Sequence, residues 1–125
     1  MPKKILIVED EDDYRSLISH LLGKKGYAVV TAANGEEGLK AYAEEKPDLV
    51  VLDVRLPDMD GFEICRKIRA DGPRPDTPII FCTVRSAVAR VSEGLRSGGT
   101  DYVVKPFEIE DLLSRVKAAL SPEEA

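Results

Sequence analysis

Tryptophan is missing from this chain, histidine occurs once and cysteine only twice. Each shortage removes a class of chemistry. Cys65 and Cys82 share no CxxC spacing and have no histidine nearby, so neither a zinc site nor a disulfide framework is indicated. Both fall in apolar stretches and read as reduced core residues. His20 lies in a helical stretch with no carboxylate at helical spacing and reads as a structural residue. Long hydrophobic runs are also lacking. The longest, such as Ile5-Leu6-Ile7-Val8, fall far short of the roughly 20 residues that cross a bilayer. No basic-then-apolar signal segment opens the chain, so the expected setting is the cytoplasm with no membrane partner. Positive charge is short as well. With 23 acidic against 18 basic residues and a net charge of -5, direct nucleic-acid binding is disfavoured.

What is present has the balance of a folded domain. The chain has 125 residues, 43% apolar and 33% charged, enough to bury a core without a disulfide or structural metal. One domain is expected over residues 1–120, with 121–125 a tail or the start of a linker. Five short apolar runs recur: Ile5-Leu6-Ile7-Val8, Ala28-Val29-Val30-Thr31, Leu49-Val50-Val51-Leu52, Ile79-Ile80-Phe81-Cys82 and Tyr102-Val103-Val104. Continuous runs rich in β-branched residues suggest strands buried on both faces. Helical patterns alternate with them. Tyr14, Leu17, Ile18, Leu21 and Leu22 form one apolar stripe, and Ile109, Leu112, Leu113 and Val116 another. A helix is expected after Asn34, a good N-cap, with Leu39 and Tyr42 turned inward. Another should use Phe62, Cys65 and Ile68, and a fourth should place Val88, Val91 and Leu95 on one side. Strict alternation through five units implies an α/β fold with right-handed crossovers and helices on both faces of a parallel sheet. A flavodoxin-like (βα)5 doubly wound sheet, strand order 2-1-3-4-5, is the natural five-unit solution, although alternation alone also admits other orders.

The polar residues that end the strands carry the chemistry. Glu9 and Asp10 follow the first strand, Asp53 the third, Thr83 the fourth and Lys105 the fifth. In an open parallel sheet these positions share one edge, and the crevice where the strand order reverses is where such folds bind ligands. Three carboxylates gathered there repel one another unless a cation compensates them or they take up protons. Oxygen donors without Cys or His point to Mg²⁺ or Mn²⁺ rather than zinc. Asp53 would then be a nucleophile towards a phosphoryl donor, with Lys105 and the Thr83 hydroxyl offsetting charge on the phosphoryl oxygens. Asp12 and Asp13 read instead as a solvated acidic helix start.

Three segments together resemble the receiver domains of two-component response regulators. They are Ile5-Leu6-Ile7-Val8-Glu9-Asp10-Glu11, Leu52-Asp53-Val54-Arg55-Leu56-Pro57-Asp58-Met59-Asp60-Gly61 and Asp101-Tyr102-Val103-Val104-Lys105-Pro106-Phe107, with Thr83 between the last two. The resemblance covers nearly the whole chain. It implies that Asp53 is the phosphoacceptor, fed by a histidine kinase or phosphotransfer protein. It implies metal ligation by Glu9, Asp10, Asp53 and the backbone carbonyl of Arg55. Lys105 would contact the acyl phosphate beside a cis Lys105-Pro106 peptide. Thr83 and Tyr102 would form the switch that reshapes the face of helix four, strand five and helix five for a downstream effector or a covalently linked output domain. Glu9 and Val84 stand where the family more often has Asp and a smaller residue, and Val84, Arg55 and Arg85 are expected to narrow the site and slow attacking water. The second half is most similar to receivers of winged-helix transcription factors. Of their charged dimer face, Asp101, Asp111 and Arg115 are present, whereas Ala87 and Val91 replace expected basic residues. A phosphorylation-dependent dimer is one reading of that face, and a small apolar partner patch of Ala87, Val88 and Ala89 is another.

Other function classes fit less well. A pseudo-receiver that binds partners without phosphoryl chemistry would not need Asp10, Asp53, Thr83 and Lys105 together. A haloacid-dehalogenase-type phosphatase wants a second Asp where Arg55 stands. A nucleotide or flavin module needs a glycine-rich cradle where this chain places five consecutive acids, Glu9 to Asp13. The expectation is a signalling module whose only catalysis is its own phosphorylation and dephosphorylation.

Overall fold

Burial explains why the apolar runs become strands. In the computed structural model, which describes residues 2–72, 74–96 and 98–120, five parallel strands stand in the order β2-β1-β3-β4-β5. In chain order the elements are β1 (Lys4–Val8), α1 (Asp12–Lys24), β2 (Ala28–Ala32), α2 (Gly35–Glu45), β3 (Leu49–Asp53) and α3 (Gly61–Asp71). They continue with β4 (Ile79–Val84), a 3-10 helix (Arg85–Arg90), α4 (Val91–Arg96), β5 (Asp101–Lys105) and α5 (Ile109–Leu120). This is the expected flavodoxin-like doubly wound sheet, with β1 and β3 central and parallel. The tail or linker expected at 121–125 lies outside the described residues. Among those described, no helix is long and apolar enough to cross a membrane.

Successive residues of a strand point to opposite faces, so one run of apolar residues supplies two cores. Leu6, Val8, Val50, Leu52, Ile79 and Phe81 meet Tyr42 of α2 and Phe62, Cys65 and Ile68 of α3. Ile5, Ile7, Leu49, Val51, Ile80, Cys82 and Val103 meet Ile18 and Leu22 of α1 and Leu112 and Val116 of α5. Each such buried side chain contributes about 1.5–3 kcal/mol of apolar transfer. Burial on both faces holds for β3 throughout, and β4 is buried up to its half-buried last residue, Val84. The edge strands β2 and β5 are half-buried along much of their length. Both cysteines are buried, and His20 is exposed.

The helix stripes read from the sequence are wider than the faces the sheet covers. Leu17 and Ile109 lie at the margins, at 41% and 44% exposure. The fourth helix departs further. A 3-10 segment precedes α4, and its tighter winding shifts the phase of the side chains. Val91 is buried, Val88 is half-buried and Leu95 is 41% exposed, so the expected three-residue face does not form. Gly94 takes the inward position instead, and a Cβ there would lie 2.4 Å from the Phe62 ring. Phe62 and Phe81 pack edge to face with ring centres 5.1 Å apart beneath it. α4 therefore commits only Val91 and Gly94 to the interior. Ala87 is buried and Ala89 exposed, so the apolar patch expected from Ala87, Val88 and Ala89 is not one surface.

Polar contacts tie the loops and helix ends, one of them marked in the sequence and the others not. Asn34 caps α2 as expected, its Oδ1 accepting from the Glu37 N–H at 2.8 Å. Asp58, in the loop after β3, accepts from the N–H groups of Gly35 and Glu36 at 2.7 and 2.9 Å, which satisfies further donors of the same helix end. The Arg69 guanidinium donates to the carbonyls of Gly98, Pro75 and Thr77 and joins the loop before β4 to the loop before β5.

Candidate functional site

Parallel register brings the strand ends to one edge. Val8 stands beside Leu52, Asp53 beside Cys82, Thr83 beside Val104 and Val84 beside Lys105. Asp53, Thr83 and Lys105 are thus the last or near-last residues of their strands rather than the first residues after them. There they border a cavity of about 210 Å³, lined also by Asp10, Glu11, Arg55 and Val84. Val84 and Arg55 stand at the cavity as expected. The side chain of Arg85 lies outside the described residues.

Asp53 is held by its own loop. Its Oδ1 accepts the Arg55 N–H at 3.1 Å. Gly61, the first residue of α3, passes so close that a Cβ would sit 2.3 Å from the Asp53 carbonyl oxygen, and its N–H donates to the Val54 carbonyl at 2.8 Å. Gly61 was legible only as part of the resembling motif, and the close backbone approach supplies its physical reason.

Lys105 is the charge at the centre. Its Nζ lies 2.6 Å from Glu9 Oε1, 3.2 Å from Glu11 Oε1 and 3.4 Å from Asp53 Oδ2, and 4.5 Å from the centre of the Tyr14 ring. The peptide that follows, Lys105-Pro106, is cis. Glu9 is fully buried. Its Oε2 accepts the Glu11 N–H at 3.0 Å, while its Oε1 is in ion contact with Lys105 but aligned with no hydrogen-bond donor. The Arg15 guanidinium holds the Glu9 backbone carbonyl at 2.8 Å.

The electrostatics follow from this packing. Burial, then the neighbouring Glu9 charge, push the Asp53 carboxyl up to about 7 against the opposing pull of Lys105 and the Arg55 N–H. Burial works against the Lys105 ammonium, but Glu9 and Asp53 outweigh it and hold Lys105 above its ordinary value. Burial pushes the Cys82 thiol up to about 12, so it is no nucleophile here.

Carboxylate oxygens of Glu9, Asp10 and Asp53 come within 4.8 Å of one another. The donors are all oxygen, and among the described residues the buried charge that compensates them is the single Lys105 ammonium. Such a set suits a hard divalent cation such as Mg²⁺. Of the two residues expected to form the switch, Thr83 is fully buried with its hydroxyl directed at the Val84 carbonyl at 3.3 Å. Tyr102 is half-buried against the core, under the Arg115 guanidinium.

The family model described as response regulator receiver domain matches residues 5–117. The chain belongs to the response regulator receiver family. The transcriptional regulatory protein AfsQ1 of Streptomyces coelicolor is 48% identical to this receiver over 117 residues, covering 93% of the receiver and 50% of that protein. The alkaline phosphatase synthesis transcriptional regulatory protein PhoP of Bacillus subtilis is 43% identical over 120 residues, covering 96% and 49%. The receiver thus spans about half the length of the curated relatives it matches. Among solved structures, the chemotaxis response regulator CheY4 of Vibrio cholerae superposes with a TM-score of 0.89 at 35% identity, covering 96% of the receiver and 100% of that chain.

Proposed function

We propose that this receiver accepts a phosphoryl group on Asp53 from a histidine kinase or phosphotransfer protein in the cytoplasm. Mg²⁺, or Mn²⁺ in its place, would be held by Glu9, Asp10, Asp53 and the Arg55 backbone carbonyl. One observation carries the reading: a carboxylate of raised proton affinity borders a 210 Å³ cavity between two further acids and a buried ammonium. When bound, the cation screens the charge between the nucleophile and the phosphoryl oxygens. An Asp53 oxygen forms the new O–P bond, the P–N bond of the donor phosphohistidine breaks, and the imidazole nitrogen leaves with the electron pair. Lys105 turns to a phosphoryl oxygen, for which its ammonium is already within 3.4 Å of Asp53.

The rest of the switch follows from contacts that are easily exchanged. At 3.3 Å the Thr83 hydroxyl bond to Val84 is long, and it yields to a charged phosphoryl oxygen. Tyr102 follows into the space that Thr83 leaves. The face of α4, β5 and α5 then changes for a downstream effector or for a covalently linked output domain. A phosphorylation-dependent dimer would use Asp101, Asp111 and Arg115 on that face. Arg115 pairs with both acids within the chain, at 2.5 and 2.9 Å, so a second copy must exchange these partners.

Intact mass after incubation with acetyl phosphate and Mg²⁺ tests the reading. Wild type should gain one phosphoryl group, and Asp53→Ala none. Equal labelling of the two, or none in wild type with any donor, would refute it.

A further inference from the structure

Glu11 is the residue at the cavity with no role so far. It is the N-cap of α1, a position where a side-chain oxygen commonly binds the first-turn N–H groups, yet it makes no such bond. Its carboxylate points the other way, to the cavity and to Lys105 at 3.2 Å. The Lys105 ammonium has three protons and faces three carboxylates, Glu9, Glu11 and Asp53. A phosphoryl oxygen arriving at Asp53 needs one of these directions.

The three partners differ in what their release costs. The Glu9 side chain is 2% exposed and Asp53 8%, so freeing either from Lys105 strands a buried carboxyl group without its partner. The Glu11 side chain is 55% exposed, and its carboxylate rehydrates at small cost. Glu11 is therefore the contact that yields. Until it does, it occupies the ammonium and places a negative charge on the approach to Asp53.

We propose that Glu11 is a positioning and selectivity residue. It holds Lys105 in reserve and repels small anionic phosphodonors, so that efficient transfer needs a donor whose protein carrier supplies binding energy. This rests on the phosphoacceptor reading of Asp53. With a small donor such as acetyl phosphate the balance is plain: the Asp53 O–P bond forms, the bond from phosphorus to the acetyl oxygen breaks, and acetate leaves with the electron pair.

The test is the second-order rate of labelling by acetyl phosphate in Mg²⁺, followed by intact mass, for wild type and Glu11→Gln across ionic strength. Removing one charge from the path of a dianion should raise the rate roughly three- to tenfold at low salt. The gain should shrink towards unity near 1 M salt, where screening acts over about 3 Å. It should also be smaller with phosphoramidate, a monoanion near neutral pH. Glu11→Ser, which installs a favoured N-cap, should behave like Glu11→Gln and guards against a folding defect. A labelled wild type with both variants equal or slower, or a gain that salt leaves unchanged, would overturn the role of Glu11. Absence of label in every protein would instead remove the phosphoacceptor reading, and this inference with it.

Discussion

Raising the pH of the metal-free receiver should destabilise it, and Asp53 should be the cause. A folded-state carboxyl at about 7 against an ordinary 3.8 means that the native state holds a proton which the unfolded chain has released. The stabilisation is fully present below the unfolded value and is lost as pH rises through the folded one. Each unit is worth about 1.4 kcal/mol, and roughly two of the three units fall between pH 5 and 7. Because Glu9 shares the site and water reaches the cavity, about 2–3 kcal/mol is expected between pH 5 and 8. In a chain of this length that corresponds to about 10 °C in melting temperature. Among the described residues no other resolved shift interferes: Asp48 and Asp58 are lowered and act at acid pH, while Cys82, Lys105, Arg90 and Arg115 are raised and act in alkali. With no tryptophan in the chain, urea unfolding followed by far-UV circular dichroism in chelator is the assay. Asp53→Asn should flatten the slope and exceed wild type in stability at pH 8. Added Mg²⁺ should restore wild type more at pH 8 than at pH 5, since it binds the ionised carboxylate. Parallel slopes for wild type and Asp53→Asn would refute the account.

Three further perturbations test other contacts. Lys105→Met leaves Glu9 buried without its ammonium and should cost about 3–5 kcal/mol in urea unfolding at neutral pH, with part regained in a double variant with Glu9→Gln; wild-type stability in the single variant would contradict it. Gly61→Ala drives a Cβ against the Asp53 carbonyl and should lower stability by more than about 2 kcal/mol and slow labelling, and an unchanged melting temperature would count against the close approach. Val84→Ala widens the cavity and should speed loss of the phosphoryl group severalfold by intact mass after donor removal, whereas unchanged or slower loss would show that Val84 does not limit water.

The parts legible in the sequence are those with a period or a motif. Alternating strand runs and helix stripes yield the element order, and Asn34 marks a helix start because capping is a one-residue signal. The strand-end positions of Glu9, Asp53, Thr83 and Lys105 come together because parallel register brings them together. The rest depends on distance. Among the described residues Arg69 binds carbonyl oxygens, which every residue offers, so no partner type betrays it. Asp58 caps a helix 22 and 23 residues away, and Glu11 looks like one more solvated acid until the fold brings it to Lys105. The fourth helix misled because a 3-10 turn broke its period and a glycine, invisible to hydrophobic patterning, took the inward place.

That glycine has a mechanical consequence. A helix of six residues rests against two aromatic rings at Gly94 and buries one side chain, Val91. A short element with so little interior side chain is suited to the shear kind of motion, small sliding of packed helices. If α4 shifts in the proposed switch, it is an element held to the interior by a single buried side chain, Val91, beside that glycine.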